Sequence, residues 1–255
     1  MHPILLRLDG LTLYTYGFFV GLGFLLGLAL LLWRGRKEGI PEARLVDLFF
    51  LVFFSSIAGA RALFVLIHPE IFREDPLGVF KVWEGGLVFY GGLLLASLLS
   101  LAYLKWARLP VWKVADLFSP AIAMGLVFGR IGCLMAGCCY GKETSLGWAI
   151  VFTDPQALAP LHLPLHPTQL YEALGGILLF FLLHWREERK GYDGQIFFLF
   201  LLSYSILRFF LEFLRGDPRG SLLGGLLSTS QGIGIFLAST SLFMLFYLGR
   251  RKRRE

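Results

Sequence analysis

The sequence is poor in charge. Only 16% of its 255 residues are Asp, Glu, Lys or Arg, whereas 56% are hydrophobic. A soluble domain has about a quarter charged residues and close to half apolar ones. Together with a mean hydropathy of +0.67, this excludes an ordinary soluble domain and indicates a chain that is embedded in lipid.

Cysteine is scarce as well. The three cysteines, Cys133, Cys138 and Cys139, lie within one short stretch, which excludes a disulfide framework. Three interpretations stay open: buried thiols, one disulfide on an oxidising outer face, or metal ligands together with His162 and His166. Because the spacing matches no familiar zinc pattern, we expect no metal ion and no cofactor.

The amino-terminal residues lack the pattern of a cleavable signal peptide. Arg7 and Asp9 interrupt them. The first long apolar run, 11–33, is too long for a signal core and has no small-residue cleavage site. We therefore expect this run to remain as the first membrane span.

Long apolar runs, in contrast, are abundant. Their length suits a bilayer crossing of about 20 residues. They predict an all-α fold, namely a polytopic membrane helix bundle with about seven transmembrane helices. We expect these helices to form a single transmembrane domain over residues 1–255. The predicted spans are 12–33, 45–67, 86–107, 115–136, 168–185, 195–215 and 229–249.

The basic residues predict the orientation of these spans. With the amino terminus outside, the positive-inside rule is satisfied by fifteen basic residues on the inner side and five on the outer side. The inner ones are Arg34, Arg36, Lys37, Arg44, Lys105, Arg108, Lys113, Arg186, Arg189, Lys190, Arg250, Arg251, Lys252, Arg253 and Arg254. The outer ones are Arg7, Arg73, Lys81, Lys142 and Arg219. We expect an N-out, C-in topology with outer segments at 68–85 and 137–166.

Four basic residues fall inside the predicted spans: Arg61, Arg130, Arg208 and Arg215. A charge at mid-membrane costs at least about 2.5–3.5 kcal/mol, so each of them needs a partner or a wet cavity. For Arg61 and Arg215, structural pairing or snorkelling near a helix end is an equally good interpretation. The candidate carboxylate partners are Asp47, Asp116, Glu172 and Glu212.

The sixth span has one polar face. Tyr204, Arg208, Glu212 and Arg215 are spaced so that a helix would place all four within about 80° of each other. A carboxylate one turn away fixes a guanidinium, and two fixed guanidinium groups suit a phosphate. The alternative is that these four side chains pair with one another for structural reasons only.

Polar residues also mark the fourth and fifth spans. Arg130 is flanked by Gly129 and Gly132, which permit close approach of a large anionic ligand. The polar residues near the start of the fifth span are His166, Gln169, Tyr171 and Glu172.

These motifs resemble one known family, the phosphatidylglycerol-prolipoprotein diacylglyceryl transferases, over nearly the whole chain and in the same order. The matching segments are 16–17, 59–61, 86–92, 129–141, 166–172 and 204–215. The resemblance implies transfer of the diacylglyceryl group of phosphatidylglycerol to the lipobox cysteine of a prolipoprotein, which forms a thioether and releases glycerol phosphate. It implies a multi-pass enzyme of the bacterial inner membrane, with membrane lipid around it and no nucleic acid partner.

The resemblance also implies roles for individual residues. The two essential arginines of the family correspond to Arg130 and Arg208. We expect Tyr90 to be a third catalytic residue. The expected substrate-binding residues are Tyr16, Arg61, Gly91, Gly92, His166, Gln169, Glu172, Tyr204, Glu212 and Arg215. A non-enzymatic phospholipid-binding or transport protein is the alternative function.

The chain departs from the family pattern in two places. The family commonly has His-Gly-Gly in the third span, with the histidine as the proposed base, whereas this chain has Tyr90-Gly91-Gly92. A phenol with a pKa near 10 is a poor base at neutral pH. In the fourth span, the family's Asn, Asn and Glu are replaced by Cys133, Ala136 and Cys138.

Overall fold

The computed structural model describes residues 2–8, 11–73, 75–217, 220–222 and 226–252. Asp9, Arg219, Arg253 and Arg254, which entered the sequence analysis, lie outside these ranges. The fold is mostly helical, so the prediction of an all-α protein is confirmed. Its helices are α1 (Thr15–Lys37), α2 (Glu42–Ile67), α3 (Phe89–Trp106), α4 (Val111–Ala136), α5 (Thr168–Glu187), α6 (Gln195–Glu212) and α7 (Thr229–Lys252).

Six of these helices are long and apolar enough, by length and composition, to cross a membrane: α1, α2, α3, α4, α6 and α7. The chain is therefore a multi-pass membrane protein. Helix α5 has 20 residues, with Glu172 in its second turn and His184 and Arg186 in its last turn, and it is not among the six. The N-out, C-in orientation stays a prediction.

Helix α6 is shorter than predicted. It ends at Glu212, whereas the predicted span continued to residue 215. After Glu212 the backbone tightens, since the amides of Phe213, Leu214 and Arg215 each bond the carbonyl three residues earlier. Arg215 then pairs with Gly141 in a β-bridge. Arg215 consequently lies beyond the helix and does not belong to the helical face that the sequence predicted.

Short strands flank the helices. β1 (Ile4–Leu8) and β2 (Leu11–Tyr14) form an antiparallel pair, which explains why α1 begins only at Thr15. The segment between α4 and α5 contains the antiparallel pair β3 (Ile150–Val151) and β4 (Pro164–Leu165). The pair β5 (Ser221–Leu222) and β6 (Leu227–Ser228) precedes α7. None of these strands was predicted from the sequence.

The chain divides into two compact units, one of residues 1–30 and 115–255, the other of residues 31–114. In the first unit, Asp116 near the start of α4 accepts hydrogen bonds from the amides of Gly194 and Phe197, at 2.8 and 2.9 Å. This carboxylate caps the amino terminus of α6. The organisation as a single transmembrane domain stays a prediction.

The second unit is built on close packing of α2 against α3. A Cβ atom on Gly59 or on Gly91 would lie closer than 3.0 Å to the carbonyl oxygen of the other residue, and one on Gly92 would lie 2.5 Å from the carbonyl oxygen of Ser56. Small residues let two membrane helices approach to backbone contact. Gly91 and Gly92 therefore have a packing function in this unit.

Candidate active site

A buried carboxylate stands at the centre of the candidate site. Glu172, whose side chain is only 5% exposed, lies near three arginine side chains. Its Oε2 is 2.5 Å from Nε of Arg130, and its Oε1 is 2.9 Å from Nη1 of Arg215 and 3.8 Å from Nη1 of Arg208. The structure thus brings together three of the four arginines that the sequence placed inside predicted spans.

Three helices and one loop supply these groups. Arg130 lies less than two turns before the end of α4, Glu172 in the second turn of α5, and Arg208 one turn before the end of α6. Arg215 follows α6. Because the side chains come from separate elements, their geometry depends on the packing of the whole first unit.

Arg215 is the most completely bonded of the three. Its Nε and Nη2 donate to the two carboxylate oxygens of Asp217 at 2.8 and 2.9 Å, and its Nη1 donates to Glu172 at 2.9 Å. Burial alone would lower the pKa of Arg215, but the bonds with Asp217 and the Cys139 thiol raise it above its ordinary value. Arg215 is therefore a fixed charge that holds Glu172 in place.

Arg208 is bonded less completely. Its Nη2 lies 2.6 Å from Oε2 of Glu212, one helical turn away. Neither Nη1 nor Nη2 makes a hydrogen bond of good geometry within the described residues, although both are buried. A buried guanidinium in this state retains donors that suit an anionic oxygen.

A small cavity adjoins the cluster. Its polar lining consists of Arg130, Glu172, Tyr204 and Arg208, and its remaining lining of Leu126, Gly176, Leu179, Leu207 and Leu211. Two guanidinium groups in this lining suit a small anionic group such as a phosphate.

The two predicted tyrosines of the first unit have different surroundings. Tyr204 lines the cavity and stacks on Phe200, with ring centroids 5.9 Å apart. Tyr16 is the second residue of α1 and is 44% exposed, and its ring lies against Gly132 on α4. A Cβ at Gly132 would lie 3.2 Å from Cδ2 of Tyr16, so the glycine makes room for this ring.

His166 and Gln169 support the backbone next to the cluster. The amide of His166 donates to the carbonyl of Lys142, and its carbonyl accepts from the amide of Gly141. The side-chain amide of Gln169 donates to the carbonyl of Cys138 at 2.8 Å. Both residues therefore fix the segment that follows α4.

The remaining predicted site residues belong to the second unit. Arg61 donates hydrogen bonds to the backbone carbonyls of Gly78, Val79, Gly85 and Gly86. Its guanidinium thereby holds the segment that leads into α3. This is the structural pairing that the sequence had left open for Arg61, but the acceptors are carbonyls rather than carboxylates. Tyr90, in the first turn of α3, is 39% exposed, and Gly91 and Gly92 pack against α2.

Only two of the four candidate carboxylates pair with the buried arginines. Glu172 and Glu212 do so, whereas Asp116 caps α6 and Asp47 accepts a hydrogen bond from the Tyr103 hydroxyl at 3.1 Å. Sequence reasoning missed Asp217, because a carboxylate beyond the predicted span offered no signal of pairing. Its proximity to Arg215 follows from the early end of α6.

The three cysteines are free, and their sulfur atoms lie within 4.8 Å of one another. Hydrogen bonds with the Cys133 and Cys138 thiols and the nearby charge of Arg215 hold the pKa of the Cys139 thiol below its ordinary value. The sequence had left open whether these thiols are separate or converge.

Fold and site together define a class of protein: a multi-pass helical membrane protein whose interior arginines, braced by glutamates, line a cavity suited to an anionic group. Comparison with known proteins makes this class specific. The model of the prolipoprotein diacylglyceryl transferase family matches residues 3–247. The chain therefore belongs to the prolipoprotein diacylglyceryl transferase family, and it is a transferase.

Curated relatives agree with this assignment. The chain is 38% identical to phosphatidylglycerol--prolipoprotein diacylglyceryl transferase 2 of Clostridium perfringens, with 100% of this chain and 98% of the relative aligned. It is 36% identical to the enzyme of Clostridium tetani, covering 96% of each chain. It is 35% identical to the enzyme of Vibrio atlanticus, covering 98% of this chain and 92% of the relative. The family resemblance read from the sequence is confirmed.

Proposed function

We propose that this chain transfers the diacylglyceryl group of phosphatidylglycerol to the thiol of the lipobox cysteine of a prolipoprotein. The thiolate sulfur attacks the glyceryl carbon and forms a thioether. The bond between that carbon and the phosphate oxygen breaks, and glycerol phosphate leaves with the electron pair. This is the first step of lipoprotein maturation, and membership of the family supports it.

The observation that carries the proposal is the arginine cluster beside the cavity. The leaving phosphate gains negative charge as the carbon–oxygen bond breaks. Preorganised cationic donors stabilise such charge most strongly in a site that excludes water. Arg130 and Arg208 both line the cavity, and both are largely buried. We assign them to the phosphate.

Glu172 and Glu212 position these arginines. Each carboxylate lies within ion-pair distance of a guanidinium that lines the cavity. Fixing a guanidinium before the ligand arrives avoids the entropy loss of ordering it later. Arg215 supports the same arrangement through Glu172, and Tyr204 lines the same cavity.

The acceptor thiol has a free pKa of about 8.5 and reacts as the thiolate. The positive field of Arg130 and Arg208 favours that ionisation. We assign Tyr90 to a hydrogen bond with the lipid headgroup, since its phenol is a weak base. Tyr16, His166 and Gln169 complete the proposed binding residues, with Arg61, Gly91 and Gly92 shaping the segment around Tyr90.

The distribution of basic residues indicates the membrane and the orientation of the chain. We infer residence in the bacterial inner membrane with the amino terminus outside, because the basic residues are concentrated in the predicted inner segments. In this orientation the segment between α4 and α5 faces outwards, on the side where a translocated lipobox would arrive.

A transfer assay tests the proposal. Purified protein in detergent receives phosphatidylglycerol labelled in its headgroup glycerol, together with a lipobox peptide. We expect release of labelled glycerol phosphate and a peptide mass increased by one diacylglyceryl group. Arg208→Ala should lose both products, whereas Arg73→Ala, which removes an exposed arginine, should keep them.

A peptide with serine in place of the lipobox cysteine is the substrate control. Absence of both products, while a family enzyme such as that of Clostridium perfringens is active in parallel, would contradict the proposed transfer. Lipid that binds stoichiometrically without any change in peptide mass would indicate a binding protein instead.

A further inference from the structure

Helix α4 ends in a turn that brings two cysteines together. Gly137 has a φ of 74°, and its amide donates to the carbonyl of Leu134 at 3.3 Å. The amide of Cys138 donates to the carbonyl of Cys133 at 3.1 Å. This pair of bonds is the Schellman arrangement, in which side chains at these two positions commonly touch. Cys133 and Cys138 occupy those positions.

The third cysteine, Cys139, is directed towards Cys133 and Cys138 by its unusual backbone conformation. Cys139 has a φ of 61°, a left-handed conformation that residues other than glycine seldom adopt. The side chains of Thr168 and Gln169 on α5 donate to the carbonyls of Cys139 and Cys138, at 2.9 and 2.8 Å. The turn is therefore held in place from a second helix, as a strained conformation requires.

The resulting sulfur geometry approaches that of a metal site. All three Sγ atoms lie within 4.8 Å of one another. The centre of an even triangle with this side is about 2.8 Å from each corner, compared with a Zn–S bond of about 2.3 Å. A movement of roughly half an ångström per sulfur, within the reach of cysteine rotamers, would bring all three into bonding distance.

The surrounding charges favour a bound ion with its ligands. Three thiolates and one divalent cation together have a net charge of −1. Arg215 interacts electrostatically with the Cys139 thiol, and Arg130 with Cys133 and Cys139. Both guanidinium groups also pair with carboxylates, so they offset only part of the negative charge of a metal–thiolate group.

We propose that Cys133, Cys138 and Cys139 form a three-thiolate site for a thiophilic metal ion of the Zn²⁺ or Cu⁺ kind. Thiolate ligands select these soft or borderline ions over Mg²⁺ and Ca²⁺, which prefer oxygen. With three protein ligands, Zn²⁺ keeps a fourth position for another ligand. Its three sulfur ligands are distinct from the residues assigned to the proposed transfer, and it differs from the expectation of no metal that sequence spacing suggested.

Metal stoichiometry tests the proposal without any activity measurement. The full chain is purified in detergent under reducing conditions, incubated with Zn²⁺ or with Cu⁺, desalted and analysed by elemental mass spectrometry. We expect about one tightly bound ion per chain, and X-ray absorption should give sulfur ligands at about 2.3 Å. Bound metal should also protect the three thiols from alkylation.

Each single Cys→Ser variant at 133, 138 and 139 should lose the bound ion. Met135→Leu is the matched control, because it removes a neighbouring sulfur that is no thiol and should keep one ion per chain. Alkylation protection in the wild-type chain keeps the test decisive if a variant fails to fold. Failure of fully reduced protein to retain either ion would overturn the proposal.

Discussion

Replacing Glu172 by glutamine removes one negative charge from a point where three guanidinium groups meet. The side chain keeps its shape, but Arg130, Arg208 and Arg215 lose their shared counterion. Removing one partner of a buried ion pair typically destabilises a protein by about 3–5 kcal/mol. For a chain of this size, 1 kcal/mol corresponds to about 2–4 °C in Tm, so the variant should melt roughly 6–20 °C lower.

Thermal unfolding in detergent, followed by tryptophan fluorescence, measures this loss. Glu143→Gln is the matched control, since Glu143 is exposed and surface substitutions usually change stability by less than about 0.5 kcal/mol. The double variant Glu172→Gln/Arg215→Gln restores the balance of charge and should recover part of the loss, with a coupling of about 0.5–3 kcal/mol. A Glu172→Gln variant that melts together with the control would refute the view that this carboxylate holds the cluster.

Three further predictions follow from other parts of the molecule. Arg208→Lys keeps the charge but loses the two-pronged donor, so kcat in the transfer assay should fall by at least about 100-fold; a rate near wild type would remove Arg208 from the phosphate site. Tyr90→Phe should lower turnover strongly, because its hydroxyl is assigned to the headgroup, and an unchanged rate would make Tyr90 a packing residue. Gly91→Ala should lower the free energy of unfolding by about 1–3 kcal/mol, because its Cβ would clash with the carbonyl oxygen of Gly59. Gly125→Ala, with open space around it, is the control and should not lower Tm.

The helices could be predicted from the sequence because apolar runs of bilayer length have few alternatives to helix. Six predicted spans correspond to helices that meet the length and hydropathy requirements for crossing a membrane. The ends were harder to predict. Helix α6 stops at Glu212 because the next residues bond to the segment around Gly141, a contact between distant parts of the chain that periodicity cannot reveal.

The site was predictable in part for the same reason. A charge in an apolar run needs a partner, and Arg130 and Arg208 form ion pairs with Glu172 and Glu212. Arg61 also has partners, but they are backbone carbonyls rather than the candidate carboxylates, and the sequence does not show which carbonyls lie nearby. The gathering of the three cysteines depends on two left-handed residues, Gly137 and Cys139, and on hydrogen bonds from α5, a combination that leaves no pattern in the sequence.

The balance of charge in the cluster separates the arginines by function. Arg130, Arg208 and Arg215 face Glu172, Glu212 and Asp217, so these six groups have no net charge before a ligand arrives. An incoming phosphodiester must therefore compete with a carboxylate for its donors. Arg215 has well-formed bonds to two carboxylates and would lose most by moving, whereas Arg208 has one close ion pair of poor hydrogen-bond geometry and a second contact at 3.8 Å. The anion is consequently expected to draw Arg208 from Glu212 first, while Arg215 keeps Glu172 and, through it, Arg130 in place.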